Sequence, residues 1–424
     1  MLACAALLLF PRAGAGYSVQ THEQLIDLAW QGSIRPFLLA RYPAMTEAQL
    51  REAHAYAYGG SAMQDLGYYP FGQQFFSDLT HYVRTGDFVR ALLQNAKSPD
   101  ELAFAVGALS HYVGDTIGHS DAINRAVPIE FPKLARQYGP SVPYDAGKHQ
   151  HVRTEFAFDI NQISKDRFAP SAYLEHVGLN VSGELMARSF HDIYGLNLYA
   201  LLGKRRPAMV RSYRSAVRRF LPRIAYAEAV LHRHQMPADR PGPAVDRLER
   251  ELKQVGVDDG WSRYQRRPSL GTYLLAGVIV IVPKIGTFSD LAIKGPTEET
   301  EEWYVESLLR SVDALRRDLK EFERTENLLP NRDLDTGAKV KPGGYRLTDD
   351  TYASLLERVT KQKEVPLGLQ QDILEYYADP TAPIATKRKP KQWARVQAEL
   401  AVLRGMPTTA PNSPAAAAEA EAGK

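Results

Sequence analysis

Histidines and acids recur at four-residue spacing in the middle of this 424-residue chain. His111, Asp115 and His119 follow one another at that spacing, and His151 and Glu155 repeat it about thirty residues later. Successive residues of an α-helix turn by about 100°, so side chains four positions apart project from one stripe of the helix. The pattern therefore predicts a helical protein in which imidazoles and carboxylates face one pocket.

The donor types in this pattern favour zinc. Imidazole nitrogen and carboxylate oxygen together suit this ion, and a pocket with more than four such donors can hold several ions with open positions for water. The alternative interpretation is ion pairing on a helix surface, worth a few tenths of a kcal/mol per pair. Apolar neighbours such as Leu109 and Val113 argue against it, because buried His and Asp side chains need partners. We therefore expect a catalytic metal site.

Three further motifs precede the triplet in order. They are GYSVQTH at residues 16–22, MQDLGYYP at 63–70 and SDLTH at 77–81. With residues 109–119 they make the chain resemble the zinc-dependent phospholipase C superfamily over about residues 16–160. The resemblance is closest to the amino-terminal domain of glycosylphosphatidylinositol-specific phospholipase D and its bacterial relatives. Bacterial phospholipases C and the fungal and plant single-strand nucleases are more distant.

The resemblance implies three zinc ions in a mostly helical fold. The first ion would take Asp65, His81, His111 and Asp115, the second would take His119, His151 and Glu155, and the third would take His22, a bridging Asp115 and the backbone amine and carbonyl of Tyr17. Family members usually begin their mature chains with Trp, but backbone atoms do the ligation, so Tyr17 is acceptable. Asp65 is the expected catalytic residue, orienting or deprotonating a metal-activated water.

The amino terminus is typical of a secretory signal peptide. An apolar run at residues 3–10 is too short to span a bilayer, and small residues follow at 13–16. Cleavage before Tyr17 would free the amine that the third ion needs. The only cysteine, Cys4, lies in this segment, so the mature chain would contain no thiol. We expect a secreted or periplasmic protein.

Helical periodicity along most of the chain predicts an all-α fold. We expect a multi-helix domain of the phospholipase C and nuclease type, followed by a mostly helical carboxy-terminal extension. The predicted divisions are a signal peptide at 1–16, the zinc-dependent phospholipase C-like domain at 17–235, a polar connector at 236–271, the carboxy-terminal region at 272–406 and a disordered tail at 407–424. The apolar segment 273–283 is too short to cross a membrane, and its β-branched run favours burial in the core over insertion into lipid.

Three functions fit these patterns. The first is hydrolysis of a phospholipid, or of another phosphodiester, with peripheral membrane contact in the case of lipid. The second is single-strand nuclease activity, in which Tyr68, Tyr69 and Phe71 would stack on nucleic-acid bases. The third is metal binding without turnover, although the paired Glu-x-x-His motifs of di-iron bundles are missing from the sequence. Neither the sequence nor its formal charge of +3 indicates an obligate protein partner. His54 and His149 are expected to be packed or surface residues.

Overall fold

A computed structural model describes residues 17–232, 234, 236–266, 270–281, 295–324 and 329–409. These segments are almost entirely helical, which confirms the all-α prediction. Their β structure consists of one isolated bridge and a two-residue parallel pairing. The predicted signal peptide and residues 410–424 of the predicted tail lie outside the described residues.

The first half of the fold supplies most of the candidate site. Its helices are α1 Val19–Ala29, α2 Arg35–Arg41, α3 Glu47–Ser61, α4 Gln74–Tyr82, α5 Thr85–Asn95, α6 Pro99–Gly118, α7 Asn124–Glu130, α8 Pro132–Tyr138, α9 Lys148–Ser164, α10 Ser171–Val177, α11 Gly183–Tyr194, α12 Leu198–Leu202, α13 Arg206–Ser215 and α14 Leu221–His232. π-Helical turns at Trp30–Ile34, His119–Ile123 and Ala216–Phe220 join neighbouring helices, and short 3₁₀ turns occupy Gln64–Gly67, Tyr144–Ala146 and Gly203–Arg205.

Local chemistry explains where several of these helices begin. Thr46 and Gln49 form a reciprocal capping box at the start of α3. Ser98 accepts a hydrogen bond from the backbone of Glu101, and Pro99 opens α6 at a position where its missing N–H costs nothing. These caps fix the start of the two helices that pack most extensively on each other.

Helices α3 and α6 approach closely because glycines lie between them. A Cβ added to Gly60 would lie 2.0 Å from the carbonyl oxygen of Phe104, and one added to Gly107 would lie 2.1 Å from that of Ala57. Only a residue without a side chain fits at such distances. The close approach brings the end of α3 alongside His111 in the middle of α6.

The second half of the fold is also helical. It contains α15 Pro243–Asp258, α16 Leu270–Ile281, α17 Glu298–Arg324, α18 Arg346–Val359, α19 Leu367–Tyr376 and α20 Pro390–Arg404, with the strands β1 Val365–Pro366 and β2 Thr408–Thr409 and 3₁₀ turns at Trp261–Arg263 and Ala385–Arg388. Strand β2 therefore occupies the start of the expected tail. Helix α15 lies in the segment expected to be a polar connector, where Leu248, Leu252 and Val255 form a buried stripe.

The two halves share one hydrophobic core. Helix α17 packs against α6 and α1, and its Tyr304 and Leu308 belong to the same buried cluster as Leu25 of α1. The carboxy-terminal region therefore lies against the helices that carry the candidate site.

Helix α16 corrects the prediction that segment 273–283 is buried. Ala276 packs against α14, but Tyr273 and Leu274 are 54% and 65% exposed. The expectation was wrong for these two side chains because a single helix buries one face, even when its sequence is apolar all round. Among the described residues, no helix has the length and apolarity that crossing a bilayer requires.

Candidate metal centre

Helix α6 contributes to more than one pocket. His111 and Asp115 lie in its last two turns, and His119 begins the π-helical turn that follows. An α-helix rises 1.5 Å per residue, so eight residues separate His111 from His119 by about 12 Å along the axis. One ion cannot contact both imidazoles. His111, Asp115 and His119 therefore belong to neighbouring pockets on the same side of the helix.

The first pocket contains Asp65, His81, His111 and Asp115. His81 Nε2 lies 3.4 Å from Asp65 Oδ1 and 3.6 Å from Asp115 Oδ2. His111 Nε2 lies 3.1 Å from Asp115 Oδ2 and 3.5 Å from His81 Nε2. Four donors placed tetrahedrally at about 2.1 Å from zinc are about 3.4 Å from one another. These four separations match edges of a zinc coordination shell.

The second pocket contains His119, His151 and Glu155. His151 Nδ1 lies 3.7 Å from Glu155 Oε1, and one donor atom from each of the three residues lies within 4.8 Å of the others. His151 and Glu155 come from successive turns of α9, which packs against the π-helical turn that carries His119. The four-residue spacing in the sequence thus produces the predicted pair on one helix face.

The third pocket is centred on His22. Its Nε2 lies 3.2 Å from Asp115 Oδ1, and the backbone N–H of Tyr17 donates to the same oxygen at 3.4 Å. The ring of His22 stacks on that of His111 with centroids 4.2 Å apart. Asp115 therefore directs one oxygen into the first pocket and the other into the third, which is the arrangement of a bridging carboxylate.

Backbone carbonyls select the ring nitrogen that each imidazole presents to its pocket. His81 Nδ1 lies 2.8 Å from Ser77 O, His111 Nδ1 lies 2.9 Å from Ser61 O, and His151 Nε2 lies 2.5 Å from Val142 O. In each pair the imidazole N–H donates to the carbonyl, which leaves the lone pair of the other nitrogen directed into the pocket. Metal-binding histidines are typically oriented in this way.

Burial makes the donor set electrostatically costly without a cation. The nine donor residues are at most 3% exposed, and both oxygens of Asp65 and both ring nitrogens of His119 have no hydrogen-bond partner among the described residues. Burial raises the pKa of Glu155 well above its usual range, helped by the negative charges of Asp115 and Asp65. A multivalent cation would satisfy these atoms and favour the ionised carboxylates. The residues present therefore fit zinc.

Comparison with protein families agrees with this geometry. Residues 21–200 match the family model described as zinc dependent phospholipase C. This segment belongs to that family. The match spans eight of the nine donor residues, all but Tyr17, and it confirms the superfamily and the fold that the sequence motifs predicted. No curated protein and no solved structure matches the chain. Kinship with the glycosylphosphatidylinositol-specific phospholipase D domain stays a prediction.

The match over residues 21–200, together with the donor groups, indicates a zinc-dependent phosphodiester hydrolase. Zinc ions held by these residues would bind phosphate oxygens and lower the pKa of a water molecule. The three donor groups fit a centre with several ions. Asp65, the expected catalytic residue, is held at the pocket by the 3₁₀ turn Gln64–Gly67, in which the backbone N–H of Gly67 donates to Ser77 Oγ at 2.8 Å.

Other candidates from the sequence lie apart from the three pockets. His54 is buried between Trp30, on which its ring stacks, and Tyr58. His149 is exposed. Both positions agree with the expectation of packed or surface residues. Of the three aromatic residues that follow Asp65, Tyr68 and Tyr69 are buried and only Phe71 is exposed.

Sequence reasoning missed an acid that comes to the second pocket from the second half of the chain. Asp335 Oδ1 lies 3.9 Å from His119 Nε2, and the carboxylate is 2% exposed. The local sequence, NRDLDTG at residues 331–337, has two acids before a glycine. Such a pattern is typical of surface turns, so nothing in it distinguished Asp335.

Proposed function

We propose that this protein is a phospholipase C-type enzyme that hydrolyses the phosphodiester of a phospholipid on its glycerol side. The observation that carries the proposal is the sharing of Asp115 between two donor groups: its two oxygens lie 3.2 Å from His22 Nε2 and 3.1 Å from His111 Nε2. A phosphodiester has two non-bridging oxygens, and neighbouring ions held by such a carboxylate can neutralise both.

Asp65 is suited to handle the proton of the attacking water. Its two carboxylate oxygens are buried and have no hydrogen-bond partner among the described residues, and one of them lies 3.4 Å from His81 Nε2. An unengaged carboxylate at the edge of a pocket can accept a hydrogen bond from water and hold it for attack. Asp65 would therefore orient the water, accept its proton, or do both.

Exposed apolar side chains favour a lipid substrate over nucleic acid. Tyr68 and Tyr69 are buried, and the Tyr68 hydroxyl donates to Asp78, so neither ring offers a free face to a base. Phe71, Tyr273 and Leu274 are each more than half exposed. Apolar side chains of this kind can enter the surface of a lipid aggregate. We also propose that the protein is secreted or periplasmic and that its mature chain begins at Tyr17.

The experiment compares substrates on the zinc-loaded protein. Phosphatidylcholine vesicles, glycosylphosphatidylinositol and single-stranded DNA are offered to the wild type and to Asp65→Asn, and released phosphate esters are quantified. We expect cleavage of lipid, and a loss of roughly 100-fold or more in Asp65→Asn, as is typical when a general base is removed. Cleavage of DNA alone would support the nuclease alternative. A protein that keeps its zinc but cleaves none of the three would support metal binding without turnover.

A matched surface variant tests the contact with lipid. The double substitution Tyr273→Ser and Leu274→Ser removes the two exposed apolar side chains of α16 and leaves the metal pockets unchanged. We expect weaker vesicle binding in a flotation assay and a slower reaction on vesicles, with unchanged hydrolysis of a water-soluble short-chain phospholipid. An equal loss on both substrates would contradict the proposed role of α16.

A further inference from the structure

The segment between α17 and α18 lies directly on the helices that form the metal pockets. The backbone N–H of Leu334 donates to His81 O at 3.0 Å, and Asn124 Nδ2 donates to Asp335 O at 2.8 Å. Gly337 has φ +68°, and a Cβ there would lie 2.4 Å from Thr116 O of α6. The segment is thus fixed to α4, α6 and α7 by its backbone.

The side chain of Asp335 is held in one orientation. Its Oδ2 accepts hydrogen bonds from the hydroxyls of Tyr82, at 2.9 Å, and Tyr345, at 2.7 Å. Its Oδ1 is directed to the second pocket, 3.9 Å from His119 Nε2. Because both phenols donate to the same oxygen, the other oxygen is left to contact a cation. Metal-binding carboxylates are typically hydrogen-bonded in this way.

The second pocket offers fewer donors than a zinc ion takes. Its three other residues provide three donors, whereas zinc takes four or five. Both ring nitrogens of His119 have no hydrogen-bond partner among the described residues. The carboxylate of Asp335 lies 3.9 Å from one of them, Nε2. Two donors at about 2.1 Å from one ion can be up to about 4.2 Å apart, and the observed 3.9 Å lies within that limit.

We propose that Asp335 is a further ligand of the ion held by His119, His151 and Glu155, and that the carboxy-terminal region therefore completes the metal centre. Asp335 lies outside the segment 21–200 that matches the zinc dependent phospholipase C family. The carboxylate would add negative charge to the second ion and occupy a position that water or substrate would otherwise take. Tyr82 and Tyr345 are positioning residues for it.

Zinc binding by the full chain tests this inference. Zinc per chain is measured by elemental analysis, and the affinity of the weakest ion by chelator competition, for the wild type, Asp335→Asn and Asp335→Ala. We expect the affinity of one ion to fall roughly ten-fold or more in both variants, since even the loss of an outer partner of a ligand costs that much. The visible spectrum of the cobalt-substituted protein should change in both, because removing a ligand alters the coordination of one ion.

Asp333→Asn is the matched control. Asp333 lies in the same segment and is as buried as Asp335, but it accepts hydrogen bonds from Thr348 Oγ1 and from the backbone of Thr336. We expect it to keep wild-type zinc affinity. Unchanged affinity in both Asp335 variants, or an equal loss in Asp333→Asn, would overturn the inference.

The inference rests on the zinc centre of the proposed function and is independent of the substrate. A wild-type protein that binds zinc but cleaves no phospholipid would contradict the proposed function alone. Wild-type lipid cleavage together with unaltered zinc affinity and cobalt spectra in the Asp335 variants would contradict this inference alone.

Discussion

His22 Nε2 lies 3.2 Å from Asp115 Oδ1, although α1 and α6 place these residues far apart in the sequence. The second oxygen of Asp115 lies 3.1 Å from His111 Nε2. Burial opposes ionisation of Asp115, but the attraction of His111 together with hydrogen bonds from His22 and His81 holds its pKa well below the usual range. A buried carboxylate that stays ionised is suited to join two cations.

Asp115→Asn should impair two pockets at once. An amide keeps one acceptor oxygen but loses the charge and the second acceptor, so the first and third ions should both bind more weakly. We expect fewer zinc ions per chain by elemental analysis and a loss of activity of more than about 100-fold. Asp121→Asn is the control, because Asp121 lies in the next turn and forms a partly exposed pair with Arg310. Full zinc content in Asp115→Asn would contradict the bridging role.

Replacing single histidines should separate the pockets. The wild type is expected to hold three zinc ions per chain. His111→Ala should lower the number of zinc ions per chain by weakening the first pocket. His151→Ala should remove the ion of the second pocket alone. His149→Ala should change nothing, because this neighbour of His151 is exposed. Zinc loss in His149→Ala but not in His151→Ala would show that we have assigned the wrong residue of α9.

Gly118→Ala should disturb the third pocket through Tyr17. A Cβ at Gly118 would lie 2.5 Å from the ring of Tyr17, which also contacts Tyr304 and whose hydroxyl forms a hydrogen bond with Ser307. We expect a destabilisation of about 1–3 kcal/mol, typical of overpacking, and the loss of one zinc ion.

Gly32→Ala provides the comparison, since a Cβ at Gly32 meets nothing within 4 Å. Both variants are measured by urea unfolding and by elemental analysis. Equal stability and equal zinc content in the two would contradict the predicted contact between residue 118 and Tyr17.

Asp27 should make the stability of the protein depend on pH. Burial raises the pKa of this carboxyl from 3.8 to about 7, against the hydrogen bond from Tyr58 and the charge of Arg218. Folding therefore favours protonated Asp27. Its contribution to the free energy of unfolding is fully present below about pH 4 and is lost as the pH rises through about 7. The difference amounts to no more than about 4 kcal/mol.

Asp27→Asn tests this dependence. The amide oxygen can take the place of Asp27 Oδ1, which accepts the hydrogen bond from Tyr58 and lies 3.3 Å from His54 Nε2, and an amide carries no charge at either pH. Urea unfolding of the zinc-saturated proteins at pH 5 and pH 8 should show a smaller loss of stability in the variant than in the wild type. Identical losses would show that Asp27 titrates normally in the folded chain.

Periodicity and motif order predicted the helical fold, and the structure places eight of the nine expected donor residues in three groups that could hold metal ions. Donors on one helix, such as His151 and Glu155, follow directly from the helical repeat. The resemblance to a known family supplied the long-range part, including His22 and Asp65, which no local pattern connects to α6.

Burial and contacts between distant segments were harder to predict. Asp335 reaches its pocket through backbone hydrogen bonds to α4 and α7, and a sequence pattern contains no sign of such contacts. The exposed side chains of α16 illustrate a related difficulty, since an apolar sequence does not show which face of the helix lacks a partner. The helix α15 was not predicted, because the Pro, Asp and Arg residues around its apolar stripe are typical of linkers.

The deep position of Tyr17 bears on the proposed cleavage before this residue. Its side chain is 1% exposed and is enclosed by residues from both halves of the chain, including Gly118 and Ser307. A peptidase that frees the amine of Tyr17 needs several residues of extended backbone on each side of the bond. Under the proposed cleavage before Tyr17, we therefore expect the cut to come before the helices close around that ring.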